Sequence, residues 1–363
     1  MNNFFLRTLT GILYVVALVG CTVFSPATLV VFFALATALS IWEFSTNVNR
    51  YAGAQVNRLI NSVAGVCLVL AVAGYCSETT QSRHFIPYLF TLLYLLINEL
   101  YRKQPDPLKN WAYAFASQLY IALSFSMVFV LAFRYDAMSN RVCYEWIYPL
   151  AVFIFLWVSD TGAYLCGCTL SRYFPAKLFE RISPKKSWVG SIGGGLLCVA
   201  AAVALWYFFP EKMTLPHWIG FGLTVCIFGT WGDLVESLFK RQLGIKDSGN
   251  LLPGHGGLLD RFDSALLAIP ASVLYFYLLN AKGSKKVVKS VANGIAQFTP
   301  QCEILRKRRI VFLFFTFPQW NKANIHRHCR CHTHGQFEKK FNGKRVFKAY
   351  SIQFRDNFKC DVK

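Results

Sequence analysis

Apolar residues dominate the first 280 positions in nine runs, at about 9–24, 27–44, 59–75, 86–100, 112–132, 147–170, 189–209, 216–239 and 263–280. A helix that crosses a bilayer needs about 20 predominantly apolar residues. The fourth run is short enough to lie re-entrant. No small-residue cleavage site clearly follows the first, which reads as a retained anchor and not as a signal peptide. The pattern predicts an all-α, polytopic integral membrane protein with about nine transmembrane helices.

The polar connections test that count, because cytoplasmic loops carry an excess of Lys and Arg. With the N-terminus inside, the inside segments 1–8, 45–58, 101–111, 171–188 and 240–262 hold fifteen Lys or Arg. The outside connections hold four: Arg83, Arg134, Arg141 and Lys212. The alternation supports nine spans with the N-terminus in the cytoplasm. By the same count, residues after 280 lie outside it.

Composition narrows the class. Of 363 residues, 55% are hydrophobic and 15% charged, with a mean hydropathy of +0.37. Soluble domains carry about 25% charged residues, so a soluble enzyme is excluded, and so is a disordered chain. The net charge of +20 alone points to nucleic acid or an anionic membrane. Its position changes that reading. Residues 284–363 hold 18 Lys or Arg against four acids, whereas residues 1–283 hold 20 against 14. The chain is an apolar body, 1–282, followed by a basic tail, 283–363. Eight cysteines lie in the body, mostly within apolar runs and without a disulfide spacing; they read as small buried hydrophobes with no redox role.

Two inside segments, 171–188 and 240–262, are long and rich in Gly, Pro, Lys and Asp, and each adjoins an apolar run that contains acids. Asp160 interrupts the sixth run; Asp233 and Glu236 interrupt the eighth. A charge at mid-bilayer costs roughly 2.5–3.5 kcal/mol on insertion scales, so such a residue points to function. The densest stretch is GDLVESLFKRQLGIKDSGNLLPGHGGLLDRFD, 232–263, with five carboxylates, four Lys or Arg, and His255 among glycines. Asp233, Ser237 and Lys240 share one helical face, and Asp260 and Asp263 share another. Two carboxylate faces joined by a Gly/Pro loop can converge on magnesium, which favours one or two carboxylates plus substrate phosphates. Lys240, Arg241, Lys246 and Arg261 supply positive charge for phosphate-bearing substrates. Taken singly, any of these residues reads about as well as an ordinary loop or positive-inside residue.

Taken together, Ser237, Lys240, Arg241, Lys246, Asp247, Gly249, Pro253, His255, Gly256, Gly257, Asp260, Arg261 and Asp263 resemble the signature of the phosphatidate cytidylyltransferase (CDP-diacylglycerol synthase) family, without departure over 237–263. An upstream element, SDTGAYLCG from Ser159 and ISPKKSWVGSIGGG from Ile182 to Gly195, also resembles the family. One position departs: Val189 stands where the family usually has Glu, which removes a carboxylate beside the lysines. The specific motifs lie in 159–195 and 232–263.

The resemblance implies transfer of the cytidylyl group of CTP to phosphatidic acid, giving CDP-diacylglycerol and pyrophosphate. It implies a two-cation centre, Mg2+ with K+, with Asp233, Asp260 and Asp263 as metal ligands supported by Ser237. Lys185, Lys186, Lys240 and Arg241 would grip phosphates. Lys246, Asp247, His255, Gly256, Gly257 and Arg261 would shape the nucleotide site. Asp160 and Tyr164 would line the polar cavity; Ser183, Ser187 and Trp188 would contact nucleotide or lipid phosphate. It further implies a homodimer in a bacterial inner (cell) membrane, with the site on the cytoplasmic side. Two rivals share parts of the pattern. A CTP-dependent kinase of a polyprenol or other lipid alcohol would release CDP, and a transporter would use intramembrane acids as ion ligands.

The tail carries basic clusters at 285–289, 306–309 and 339–345 that resemble phosphate-binding arms. It also carries HRHCRCHTH, 326–334, whose spacing is not a zinc-finger pattern. No nucleic-acid partner is expected for the body. The abrupt change of composition near 283 reads as an unstructured accessory extension, or as the product of a frameshift or read-through. Truncation after Lys282 is expected to leave CTP-dependent pyrophosphate release intact; loss of that activity in truncated membranes would show that the tail belongs to the enzyme.

Overall fold

The computed structural model describes residues 3–136, 140–173, 175–249 and 256–294. They form eleven helices: α1 Asn3–Phe24, α2 Pro26–Tyr51, α3 Arg58–Cys76, α4 Ile86–Tyr101, α5 Pro107–Ser117, α6 Leu123–Ala132, α7 Ile147–Leu170, α8 Trp188–Phe208, α9 Leu215–Gln242, α10 Leu259–Phe262 and α11 Ala265–Gly294. A π-helical turn, Gln118–Ala122, joins α5 to α6. Among the described residues, seven spans are long and apolar enough to cross a membrane; the apolar part of α1, Thr8–Phe24, and α4 are shorter. The protein is therefore an all-α multi-pass membrane protein. The chain divides into two units, Met1–Tyr277 and Leu278–Lys363. Of the second, only the continuation of α11 to Gly294 is described, twelve residues into the segment read from sequence as tail; the clusters 306–309 and 339–345 and the His-rich run 326–334 lie outside the described residues.

Local chemistry sets the helix starts. Ser25 caps α2 by accepting the Thr28 amide, and Pro26 occupies its first turn, where a missing N–H is harmless. Asn57 and Asp106 cap α3 and α5 in the same way. The helix ends are less legible. The second apolar run stops near 44, but α2 continues to Tyr51 because Ser45, Asn47 and Val48 are buried against protein. Polarity there marks an internal contact and not a membrane boundary.

Two hairpins depart from the all-helical expectation. β1 Phe133–Asp136 pairs antiparallel with β2 Arg141–Tyr144. β3 Lys177–Phe179 pairs with β4 Ser183–Ser187, with Lys177 opposite Ser187 and Phe179 opposite Ser183. Residues 171–188 are thus not a plain loop. Pro184 is tolerated because a two-stranded ribbon consists only of edge strands. Strand alternation also turns Lys185 and Lys186 to opposite faces.

The core is aromatic. Phe262 meets Phe125 edge-on at 5.0 Å and Tyr14 at 5.6 Å, and lies within about 6.3 Å of Phe33 and Phe153. Phe33, Phe125, Phe153 and Phe262 are almost fully buried. Such edge-to-face pairs add to the area they bury. Elsewhere small residues let helices close. α7 and α8 meet through Ser159, Gly162 and Cys166 against Gly193 and Gly194, and a Cβ on Gly194 would lie 2.8 Å from the Ser159 carbonyl oxygen. In lipid, association relies on such close backbone approach. All eight body cysteines are free, but only Cys198 and Cys226 are buried; five others are half-buried and Cys168 is exposed, so the sequence expectation of buried small hydrophobes holds for two of them.

Gly194→Val is expected to destabilise the detergent-solubilised protein by about 1–3 kcal/mol, the range for forcing extra carbons into a packed contact. Gly195→Val, whose added Cβ would meet only Leu223 at 3.9 Å, should unfold at the wild-type temperature in the same thermal melt.

Candidate active site

The site is built on α9. Asp233, Glu236, Ser237 and Lys240 fall at helical spacing along its C-terminal half. Ser237 Oγ donates to Asp233 Oδ1 at 3.2 Å. The other Asp233 oxygen pairs with the Lys186 ammonium from β4, which also lies 3.4 Å from the Thr230 carbonyl oxygen. One turn on, the Lys240 ammonium is wedged between two carboxylates: Glu236 on its own helix and Asp260 Oδ1 at 2.8 Å. Glu236 is fully buried and the Lys240 side chain is 14% exposed.

α10 supplies the opposing wall. Asp260 Oδ2 accepts the Ser248 amide at 2.9 Å and the Gly257 amide at 2.8 Å. The chain then breaks for two residues, Asp263 and Ser264, before α11, and Asp263 accepts the Ser264 amide at 2.5 Å. Irregular backbone at membrane depth is tolerated where it lines a cavity or is buried in protein. α9 approaches this break closely: a Cβ on Gly232 would lie 2.6 Å from the Asp263 carbonyl oxygen. Asp263 is therefore within electrostatic reach of both Asp233 and Asp160. Asp160, exposed on α7, in turn feels Asp233 and Lys186.

The residues expected from sequence divide into three sets. Asp160, Lys186, Asp233, Ser237, Lys240, Asp260 and Asp263 come together, and Gly256 and Gly257 adjoin them, Gly257 through its amide. Lys185, Arg241, Lys246, Asp247 and Tyr164 are exposed, with Tyr164 70% accessible, and among the described residues none makes a hydrogen bond or ion pair with the acids of the first set. Arg261 is half-buried, and its carbonyl oxygen lies 3.4 Å from the Tyr14 hydroxyl. Ser187 caps α8: its Oγ accepts the Gly190 amide at 3.2 Å and meets Ser171 Oγ. Ser183 lies in the β3–β4 ladder, Trp188 opens α8 and is 54% exposed, and Val189 follows it in the first turn. His255, with Pro253 and Gly254, lies outside the described residues.

Three residues that sequence reasoning did not place in the site belong to it. Glu236 contacts Lys240. Tyr120, on the π turn, has a buried hydroxyl without a hydrogen-bond partner among the described residues and lies within electrostatic reach of Glu236, Asp263 and Asp233. π turns occur often at functional sites. Glu43 of α2 reaches the signature loop through Ser248 and Leu258. The criterion that singles out Asp160, an acid inside an apolar run, also finds Glu43.

The donor chemistry fits magnesium. Among the described residues no three His, Cys, Asp or Glu form a cage on their own. Magnesium seldom uses such a cage and is usually held by one or two carboxylates with substrate phosphates. Asp160 and Asp233 face the Lys186 ammonium, and Asp263 feels Lys240, which Glu236 and Asp260 already share; five carboxylates against two ammonium groups leave an excess of negative charge that a divalent cation would neutralise. Asp260 is differently placed, because three donors already engage its carboxylate.

A bundle of apolar helices that buries carboxylates and lysines together defines a polytopic membrane protein with an anion-handling polar site. A model described as "Cytidylyltransferase family" matches residues 5–279, and the chain belongs to that family. It is similar to the phosphatidate cytidylyltransferase of Staphylococcus aureus (strain COL), 32% identical over 266 residues, 73% of this chain and 95% of the relative. It is similar also to the phosphatidate cytidylyltransferase of Staphylococcus haemolyticus, 33% identical over 268 residues with the same coverage.

Removing Lys240 leaves two buried carboxylates facing each other. Breaking a buried pair on one side costs about 3–5 kcal/mol, so Lys240→Met should strongly lower the melting temperature in detergent. Adding Glu236→Gln to Lys240→Met should recover part of the loss; a double variant as unstable as the single one would show that the pairing does not hold the helix end.

Proposed function

We propose that this chain transfers the cytidylyl group of CTP to phosphatidic acid, forming CDP-diacylglycerol and releasing pyrophosphate. The observation that carries the reading is the pairing of Lys186 with Asp233, and of Lys240 with Glu236 and Asp260, at the end of a membrane-spanning helix. Family membership and the names of the relatives agree with it.

A phosphate oxygen of the lipid attacks the α-phosphorus of CTP in line. The new P–O bond forms as the bond between the α-phosphorus and the bridging oxygen breaks, and the electron pair leaves with pyrophosphate. Both reactants are anions, so positioning and charge neutralisation account for most of the catalysis. Lys186 and Lys240 neutralise phosphate charge, with Lys185 and Arg241 at the exposed rim. Lys246, Asp247, His255 and Arg261 shape the nucleotide side. Asp233 and Asp263, with Asp160 beside them, would hold Mg2+, with K+ as the second cation of the centre. Bound there, the divalent cation would act as Lewis acid and template for the transferring phosphoryl group. Asp233 is kept in its rotamer by Ser237 and Lys186.

The acyl chains stay in the bilayer while the phosphate enters the polar notch between α7, α9 and α10. The site opens to the cytoplasmic face of a bacterial inner membrane, where CTP is supplied, and the enzyme works as a homodimer.

Membranes containing the protein are expected to release pyrophosphate only with CTP, phosphatidic acid and Mg2+ all present. Asp233→Asn should lower the rate roughly 100-fold or more, the scale for loss of one electrostatic stabiliser. Release of CDP in place of pyrophosphate would identify a lipid-alcohol kinase. An unchanged rate after chelation of magnesium would overturn the metal assignment.

A further inference from the structure

Glu43 lies far from the signature in sequence, on α2, and is buried with 9% exposure. Its two oxygens face two donors from the signature loop. One accepts the Ser248 hydroxyl, and the other accepts the Leu258 amide at 2.8 Å. Asn47, one turn further along α2, donates its side-chain amide to the Ser248 carbonyl oxygen at 2.5 Å. α2 therefore holds both described ends of the loop.

The same loop residues hold Asp260 from the other side. The Ser248 amide and the Gly257 amide both donate to Asp260 Oδ2. Ser248 is thus gripped at three atoms, by its hydroxyl to Glu43, its carbonyl oxygen to Asn47 and its amide to Asp260. The contact is close enough to dictate a glycine: a Cβ on Gly257 would fall 1.8 Å from a Glu43 oxygen and 2.3 Å from Ser248 Oγ. Asp260 then passes the constraint to Lys240 at 2.8 Å.

We propose that Glu43 is a positioning residue for cytidylyl transfer: by clamping Ser248 and Leu258 it delivers the two loop amides that fix the Asp260 carboxylate, and through Asp260 it fixes the Lys240 ammonium. The kinetic part rests on the function proposed above; the clamp itself does not.

The clamp needs hydrogen bonds and does not need charge. In Glu43→Gln the amide oxygen can accept from Leu258 while the amide nitrogen donates to Ser248 Oγ, since a hydroxyl serves as donor or acceptor. Glu43→Met keeps similar bulk and loses both bonds. The two variants are compared by steady-state CTP-dependent pyrophosphate release and by amide hydrogen exchange of peptides covering 243–249 and 256–262. Glu43→Met should lower kcat roughly 100-fold, the scale of an ångström-level misplacement, with faster exchange in both peptides. Glu43→Gln should stay within about fivefold of wild type in kcat, with exchange unchanged, since both hydrogen bonds survive. A Gln variant as impaired as the Met variant would mean that the charge acts directly, and would overturn the proposal. So would a fully active Met variant, or unchanged exchange in it. If Glu43→Met does not accumulate in membranes, Asn47→Leu, which removes only the bond to the Ser248 carbonyl oxygen, is expected to give the same loosening in smaller degree. Absence of pyrophosphate release from the wild-type protein would refute the assigned activity alone, while the exchange comparison would still decide the clamp.

Discussion

The wedge of Lys240 between Glu236 and Asp260 is the contact on which the rest of the site depends. An unpaired charge at membrane depth is costly, and a fully buried carboxylate such as Glu236 can stay only with a partner at hand. That requirement fixes the end of α9, which must place Glu236 and Lys240 on one face. It fixes α10, which must bring Asp260 to the same ammonium. Asp233 and Lys186 repeat the arrangement one turn earlier and so tie the β3–β4 hairpin to α9. Each cation is shared between elements distant in sequence, so the same ion pairs that cluster the charges also hold these elements together.

Apolar packing makes this geometry affordable. Phe262 stands between Arg261 and Asp263, and its ring is locked among Phe125, Phe33, Phe153 and Tyr14. The backbone break that carries Asp263 is therefore anchored in the buried aromatic core. The glycine seam between α7 and α8 does the same for Asp160, since it sets the height of α7 against its neighbours. A signature that reads as chemistry is, at alternate positions, core.

The sequence pattern carried most of the bundle. Apolar runs placed the helices, and the acids within them placed Asp160 and Asp233 in the site and marked Glu236 without giving it a role, because lipid makes such residues conspicuous. What it could not carry is pairing between distant segments. The contacts from Glu43 and Asn47 to Ser248 span some two hundred positions, and no local period announces them. The Lys185–Lys186 pair looked equivalent, and only the strand alternation of β4 separates them. Ser187 looked like a phosphate ligand because hydroxyls serve both uses, but its local geometry makes it a helix cap. The extension of α2 past residue 44 was hidden for a related reason, since a polar residue buried in protein reads the same as one at a membrane surface.

The dependence of the signature loop on α2 bears on how such a chain can be divided. The signature motifs lie between Ser159 and Asp263, so by motif content the 146 residues before α7 are dispensable scaffolding. By contact they are not, because they supply one side of the loop and much of the aromatic core around Phe262. A fragment beginning at α7 would contain the whole signature and still lack the wall that shapes it. The signature is local in sequence, but the contacts that shape it come from both halves of the bundle.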